Sequence, residues 1–522
     1  MSGTGSLSAP VSASGNAIID GILGHAAWVG DTLTFGFAGE TVSRFDPVYR
    51  AYAFSGEAQG VYAPTGAIRT VIAGALDADA GPAARAGLAV EGFTALNISE
   101  TTSGEARINV AQTSTDPYGY GTAWAYYPSE KDTGGDVWFS DTRYDFSKAQ
   151  IGTYSGYVMM HELGHALGLD HGHDEDHHDD IAALPHDLDS MEYSLMTYRS
   201  YVGASGLSLS NGADSYAQSW MMADIAALQH LYGADFSANA GNTTYSWRPD
   251  SGQTVIDGVV AIDPAGLRIF ATLWDGGGID TYDLSAYSTD LSIDLAPGAA
   301  SLFSAAQAAN LGHGHLARGN IYNALQHDGD ARSLIENAIG GAGNDDIAGN
   351  HARNRLSGGE GDDTLSGLAG NDVLAGQAGD DRLFGGAGRD KLFGHAGNDK
   401  LFGEAGRDVL RGGAGDDLLC GGTGADRLIG GAGADTFRFL AGDSLTGGKR
   451  HDRVVDFSSG EDLIDLITMS EAAPLGLTFA DLTLRDTKNG SRILIDLDGD
   501  GLVDQRIDMI GCSALTADDF LF

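Results

Sequence analysis

His161-Glu162-Leu163-Gly164-His165-Ala166-Leu167-Gly168-Leu169-Asp170-His171 spells H-E-x-x-H-x-x-G-x-x-H, a run in which three imidazoles, one carboxylate and one glycine have separate tasks. On a helix, His161 and His165 lie four residues apart on one face, so both reach a single metal ion, with Glu162 beside the open coordination position. Gly168 ends that helix. Glycine takes the left-handed conformation that turns the chain sharply, and the turn brings His171 back as a third ligand. Three protein nitrogens leave room for a water, as a catalytic zinc requires.

Downstream, Ser194-Leu195-Met196-Thr197-Tyr198 completes a second signature. With it, the run resembles the metzincin metallopeptidases, which carry a methionine turn after the zinc motif. A tyrosine two residues past the methionine is similar to the serralysin branch. That resemblance implies one catalytic Zn2+ held by His161, His165 and His171, with Tyr198 as a displaceable further ligand that turns to the developing oxyanion. Met196 then packs beneath the metal as a structural base, and Glu162 is the general base.

The rest of the chain fits a large protein of several domains. At 522 residues it has ample core without disulfides, and its only cysteines, Cys420 and Cys512, read as unpaired thiols. With 72 acidic against 30 basic residues the net charge is −42, which excludes nucleic acid and anionic membrane surfaces as partners. Such acidity either solvates the chain or collects cations.

From Gly340 to Arg438 the chain repeats every nine residues through eleven units. The sixth position is Asp345, Asp363, Asp372, Asp381, Asp390, Asp399, Asp408, Asp417, Asp426 and Asp435, with Asn354 in one degenerate unit. The fourth is Gly343, Gly361, Gly370, Gly379, Gly388, Gly397, Gly406, Gly415, Gly424 and Gly433, and the eighth is apolar throughout, from Ile347 to Phe437. Six glycine-rich residues make a turn whose carbonyls and carboxylate are the hard oxygen ligands that calcium prefers; three more make a short strand with one apolar side chain inward. Two units complete a coil, so aspartates two units apart stack on one edge. The array resembles the nonapeptide repeats of calcium-binding RTX proteins, which implies calcium held between successive coils.

Further stretches are similar to serralysins. Thr122-Ala123-Trp124-Ala125-Tyr126-Tyr127-Pro128 looks like the edge strand that pairs with extended substrate, which assigns Ala123, Trp124, Ala125 and Tyr126 to substrate backbone. Trp274-Asp275-Gly276-Gly277-Gly278-Ile279-Asp280 and Ile335-Glu336-Asn337-Ala338-Ile339-Gly340-Gly341 look like family segments that bind calcium, which adds Asp275, Gly277, Gly278, Asp280, Glu336 and Gly341 as ligands. Two departures stand out. Gly172 replaces the usual proline and opens an acidic, histidine-rich insertion to Glu192, with His173, His177, His178 and His186, read as a solvated loop beside the cleft. Arg199 replaces the aromatic residue that commonly follows the tyrosine.

The expected organisation is an N-terminal tail over 1–15, an α+β metzincin-like zinc peptidase domain over 16–236, a β-rich connection over 237–339, an all-β parallel β-roll over 340–438 and a β-sandwich over 439–522. In the first domain, a helix is expected near Ile18 to Leu23, strands at Leu33 to Phe37 and Ala106 to Val110, the metal helix from about Tyr157 and a closing helix at Met221 to Tyr232. In the last, Asp496-Leu497-Asp498-Gly499-Asp500-Gly501 is similar to a calcium loop, but Ile507 stands where a bidentate Glu is needed, so a hairpin turn is expected instead. No N-terminal stretch has the basic and apolar regions of a signal peptide, and no run reaches the roughly 18 apolar residues of a membrane span. The ending Asp519-Phe520-Leu521-Phe522 resembles the uncleaved signal of type I bacterial exporters.

The resemblance therefore implies a monomeric, secreted, calcium-stabilised zinc endopeptidase acting on extracellular proteins and peptides, with the exporter and a proteinaceous inhibitor as further partners and no membrane insertion. Two other classes use the same residues. One is a surface or binding protein that keeps the zinc motif as a relic, the other a zinc hydrolase of non-peptide substrates.

Overall fold

The computed structural model describes residues 6–39, 60–80, 87–102, 106–116, 119, 121–173, 182–443, 451–472, 476–513 and 515–522; His177 and His178 lie outside them. The chain divides into two compact units, Met1–Asp280 with Pro297–Leu334, and Thr281–Ala296 with Ile335–Phe522. The stretch 237–339 is thus shared between the units rather than forming a connection of its own.

In the first unit, helix α1 (Ala17–Asp20) is capped by Asn16, whose side chain accepts from the Ile18 amide. It stops before Ile22 and Leu23, which are buried, with Leu23 bridged to Leu169. A six-stranded sheet follows, made of β1 (Thr32–Phe37), β2 (Val61–Tyr62), β3 (Asn97–Glu100), β4 (Ile108–Thr113), β5 (Ala123–Ala125) and β6 (Asp136–Ser140). The order is β3-β1-β4-β6-β5, with β2 also on β4. Strands β3, β1, β4 and β6 run parallel, while β5 lies antiparallel on β6 as the terminal strand. Every residue of β4 and β6 is buried, as central parallel strands require. Helix α2 (Gly66–Leu76), α3 (Tyr154–Leu167) and α4 (Met222–Tyr232) pack on it; their buried side chains share one core with Phe35, Val110 and Phe139.

Helix α3 carries the metal motif. Its N-cap is Thr153, whose hydroxyl accepts from the Gly156 amide, so the helix begins a turn earlier than Tyr157. Gly168 ends it at φ +102°, and a Cβ there would stand 2.6 Å from the Ala26 carbonyl oxygen, so both conformation and space demand glycine. None of the helices among the described residues is long and apolar enough to cross a membrane.

The second unit is sheet throughout its repeat region. Successive short strands alternate between two parallel sheets, with partners 18 residues apart: Leu356, Leu374, Leu392, Leu410 and Leu428 align in one, and Ile347, Leu365, Leu383, Leu401, Leu419 and Phe437 in the other. All are at most 1% exposed, so the eighth position of each unit forms the core. The turns need glycine at the fourth position. Gly379 has φ +135°, and a Cβ on it would lie 2.1 Å from the Gly361 oxygen of the preceding coil.

The C-terminal stretch extends these two sheets. Asp452–Val454 pairs with Arg427–Ala432 and Leu463–Asp465 with Thr436–Arg438, before the antiparallel hairpin of Gly490–Ile495 and Gln505–Ile510. In the hairpin turn, Asp496 accepts the Gly499 and Gly501 amides. Cys420 and Cys512 are both free and buried.

Candidate active site

Helix α3 and the turn after Gly168 bring three imidazoles together. His165 Nε2 lies 3.1 Å and His161 Nε2 3.3 Å from His171 Nε2. Two nitrogens bound tetrahedrally to zinc at about 2.0–2.1 Å stand about 3.3 Å apart, so these residues fit that ion. The opposite nitrogens are committed elsewhere. His161 Nδ1 donates to the Leu195 carbonyl (2.7 Å) and His165 Nδ1 to that of Leu169 (2.9 Å), which turns both Nε2 lone pairs toward the shared point. Burial, then the neighbouring rings of His165 and His171, hold the His161 pKa well below its usual value, as a neutral ligand needs.

Tyr198 and Glu162 complete the constellation. The Tyr198 hydroxyl lies 2.9 Å from His171 Nε2, and its ring stacks on that of His161 with centroids 5.5 Å apart. Burial pushes the Glu162 carboxyl up to about 8; a dication beside it would draw that down. Met196 is fully buried beneath α3, where a Cβ on Gly164 would come within 2.5 Å of its sulfur. The sequence motif therefore has a glycine where the methionine turn makes contact.

Residues without an assigned role on sequence grounds hold this arrangement. Asp224 of α4, fully buried, accepts the Ser194 hydroxyl (2.6 Å) and the Leu195 amide (2.8 Å), and so fixes the carbonyl that orients His161. Burial lifts its carboxyl to about 7, against those hydrogen bonds. Asp170 accepts the Tyr127 hydroxyl (2.7 Å) and the His171 amide (2.7 Å), and the Tyr127 ring meets His165 edge-on at 5.4 Å. No local pattern in one sequence marks these contacts.

The insertion after His171 is only partly a solvated loop. His186 is exposed, but Leu184, Asp189, Ser190, Met191 and Glu192 are buried. Leu184 closes the excursion by donating to the Gly172 carbonyl (2.8 Å), and Gly172 donates to the Met196 carbonyl (3.3 Å), a bond proline could not make. Asp189 pairs with Arg199, so the two departures from the family pattern meet. His173 lies against the rings of His171 and Tyr198, at centroid distances of 5.3 and 5.0 Å.

Two recesses flank the constellation. Ala123, Trp124, Ala125, Tyr126, Glu162 and Tyr198 are among the residues lining one of 510 Å³, and Tyr154, Tyr157, Glu162, Tyr198, Leu209 and Tyr216 are among those lining one of 360 Å³. Strand β5 runs along the first with its Ala123 and Ala125 half-buried, while Trp124 turns inward and stacks on Trp138. Tyr126 falls just past the strand; its amide still donates to the Asp136 carbonyl of β6.

A second set of candidate ligands lies in the repeats. Along one edge Oδ1 of Asp363, Asp381, Asp399, Asp417 and Asp435 each accepts the amide of the aspartate one coil earlier; along the other Asp390, Asp408 and Asp426 do likewise, and Asp372 accepts the Asn354 amide. The ladders continue past the repeats onto Asp452 and Asp462, at spacings of 26 and 27 residues that the nine-residue frame does not reveal. Oδ2 of Asp363, Asp372, Asp381, Asp390, Asp399, Asp408, Asp417 and Asp426 is buried without a hydrogen-bond partner. Burial raises Asp363 and Asp426 to about 8, and Asp372, Asp381, Asp408 and Asp417 to about 7. Orphaned buried carboxylate oxygens fit a hard cation. Asp345 differs, since its oxygens accept from the Leu291 and Gly341 amides. At the degenerate unit, Asn354 satisfies itself with Asn350 and the Glu336 carbonyl. Asp275 and Asp280 form a further pair in the first unit, taking the Tyr245 hydroxyl and the Gly277 and Thr243 amides; burial and the Asp275 charge hold Asp280 high.

The family model for the serralysin C-terminal part of peptidase M10 matches residues 234–522, and the matrixin model of peptidase M10 matches 93–178, which includes the histidine run. Serralysin of Proteus mirabilis is 33% identical over 250 residues, 46% of each chain. Serralysin G of Dickeya chrysanthemi is 34% identical over 239 residues, 45% of this chain and 44% of its own, and Metallopeptidase AprA of Pseudomonas marginalis 32% over 241, 44% and 46%. This chain thus spans about half the length of the curated relatives it matches. Since the serralysin model takes in more than half of the chain and the matrixin model covers the converging histidines, the chain belongs to the serralysin-type metzincin metallopeptidases.

Proposed function

We propose that this protein is a secreted zinc endopeptidase, stabilised by calcium, that hydrolyses peptide bonds of extracellular proteins. The observation that carries the reading is the approach of His165 and His161 Nε2 to within 3.1 and 3.3 Å of His171 Nε2, with Glu162 and Tyr198 lining recesses on both sides. Zinc held by His161, His165 and His171 would supply a bound water of near-neutral pKa and polarise the scissile carbonyl. Glu162 takes the proton of the attacking water and passes it to the departing amine nitrogen. Tyr198 donates its hydroxyl hydrogen to the oxyanion of the tetrahedral intermediate. The backbone of β5 binds substrate as an added strand, a mode that accepts many sequences because it reads main chain.

Calcium bound by the aspartate ladders, the Asp275–Asp280 pair and the neighbouring glycine carbonyls completes the proposal. Extracellular modules bind calcium at about 0.1–1 mM, so at the low free calcium of a cytosol the repeats would stay open for export and would fold outside. Casein digestion tests the enzymatic reading. Activity in millimolar calcium that is lost with 1,10-phenanthroline and regained with zinc supports it; no digestion under any metal condition would leave a binding protein, and digestion indifferent to zinc removal would overturn the mechanism.

A further inference from the structure

Tyr198 is flanked by Thr197 and Arg199, and both are held by the same buried carboxylate. Asp189 is 1% exposed; its Oδ1 accepts the Thr197 hydroxyl and its Oδ2 pairs with the Arg199 guanidinium. Thr197 and Arg199 are further tied together, the Arg199 amide donating to Thr197 Oγ1 at 3.0 Å. The Tyr157 hydroxyl fixes the Thr197 carbonyl at 2.8 Å, the Met191 amide donates to the Arg199 carbonyl at 2.9 Å, and Arg199 Nε donates to the Ala204 carbonyl at 3.2 Å. The backbone entering and leaving Tyr198 is thereby clamped, while the phenol reaches His171 Nε2 at 2.9 Å.

We propose that Asp189, supplied by the insertion after His171, is a positioning residue for Tyr198. It touches neither metal nor substrate and acts through the two residues that bracket the tyrosine. A group that must leave one partner and meet an oxyanion works only when its backbone is held, and a misplacement of about 1 Å is worth about 100-fold in rate. At the described ends of the insertion Gly172 donates to the Met196 carbonyl, Leu184 donates to the Gly172 carbonyl, and Asp189 holds the residues on both sides of the tyrosine it serves. This inference rests on the peptidase reading only for its kinetic arm.

The test uses the full chain in millimolar calcium, with wild type, Asp189→Asn, Tyr198→Phe and the double variant. Asp189→Asn keeps the size and an acceptor for Thr197 but sets an amide against Arg199. Expected are one zinc per chain, kcat lowered about 10- to 100-fold with KM within about twofold, and no further loss when the change is made in Tyr198→Phe. Copper(II) exchanged for zinc gives a readout independent of turnover: the phenolate-to-copper charge-transfer absorption, absent in Tyr198→Phe, should weaken or shift in Asp189→Asn. Thr197→Val, which removes one arm of the clamp and leaves the ion pair, should act in the same direction and serves if Asp189→Asn does not fold. An unchanged copper band and kcat, or a loss fully additive with Tyr198→Phe, would overturn the proposal. If wild type itself cleaves no peptide, the peptidase reading fails while the copper band still decides whether Asp189 places Tyr198.

Discussion

Without calcium, the folded repeats should be penalised by alkali and relieved by mild acid. Six ladder aspartates rise from an ordinary 3.8 to about 7 or 8 in the folded chain, chiefly through burial. A carboxyl raised on folding favours the folded state fully below its unfolded pKa, and that contribution is lost as pH climbs through the folded value. The window therefore runs from about pH 4 to about pH 8. A shift of about 3 units corresponds to about 4 kcal/mol per group at full ionisation, and solvent screening along the edges cuts this to about 1–2 kcal/mol. Six such groups oppose folding at pH 8 by about 6–12 kcal/mol, as large as the whole stability of a typical domain. Calorimetry and circular dichroism of the full chain as Glu162→Ala, which avoids self-cleavage, should resolve this. In chelator the transition of the repeats should fall by at least about 10 °C between about pH 5 and pH 8, or vanish, while millimolar calcium should flatten the dependence and magnesium should not. High salt separates general repulsion, which it screens, from the buried orphans, which it does not. A transition in chelator that is unchanged or higher at pH 8 would refute the reasoning.

Other substitutions probe the zinc site. Glu162→Gln should keep one zinc per chain and lose at least about 100- to 10,000-fold in kcat, measured on a quenched peptide; near-normal turnover would remove Glu162 as general base. Tyr198→Phe should retain zinc and lower kcat more than it alters KM, since the bond is made mainly in the transition state; loss of the metal would make the phenol a required ligand. Gly164→Ala adds helix propensity of about 1 kcal/mol but drives a Cβ to within 2.5 Å of the Met196 sulfur, an overpacking worth about 1–3 kcal/mol. A lowered melting temperature in saturating calcium is expected, and a raised one would mean the methionine turn yields freely.

What could be read from the chain alone shares a property: its geometry is carried by the backbone period. Two histidines four residues apart must share a helix face, and a glycine after them must turn, so His161, His165 and His171 converge without knowledge of anything else in the molecule. The apolar residue recurring every nine positions likewise had to stack, because two units close one coil and place Leu356 over Leu374. The hairpin after Ile495 was legible for the same reason, since turn residues interrupt two alternating runs.

Groups that support those motifs obey no such period, and their identities hide in unremarkable residues. Asp224 sits on another helix and works through two backbone atoms of the methionine turn. Asp189 lies in a run whose charge spells solvent, yet one half-buried arginine inverts that meaning, because a carboxylate with a guanidinium partner no longer needs water. Asp452 and Asp462 continue ladders whose repeat has already ended, so nothing in the nine-residue frame reaches them. The same physics predicts where such residues occur. A catalytic or calcium ligand is chosen by spacing along its own element, but the carboxylate that holds it must come from whichever segment the tertiary fold brings alongside, and burial there makes it costly to leave unpaired. Acidic residues in this chain therefore divide by environment rather than by neighbours in sequence: Asp187 is exposed and remains solvated, whereas Asp189, two residues on, is held under the site.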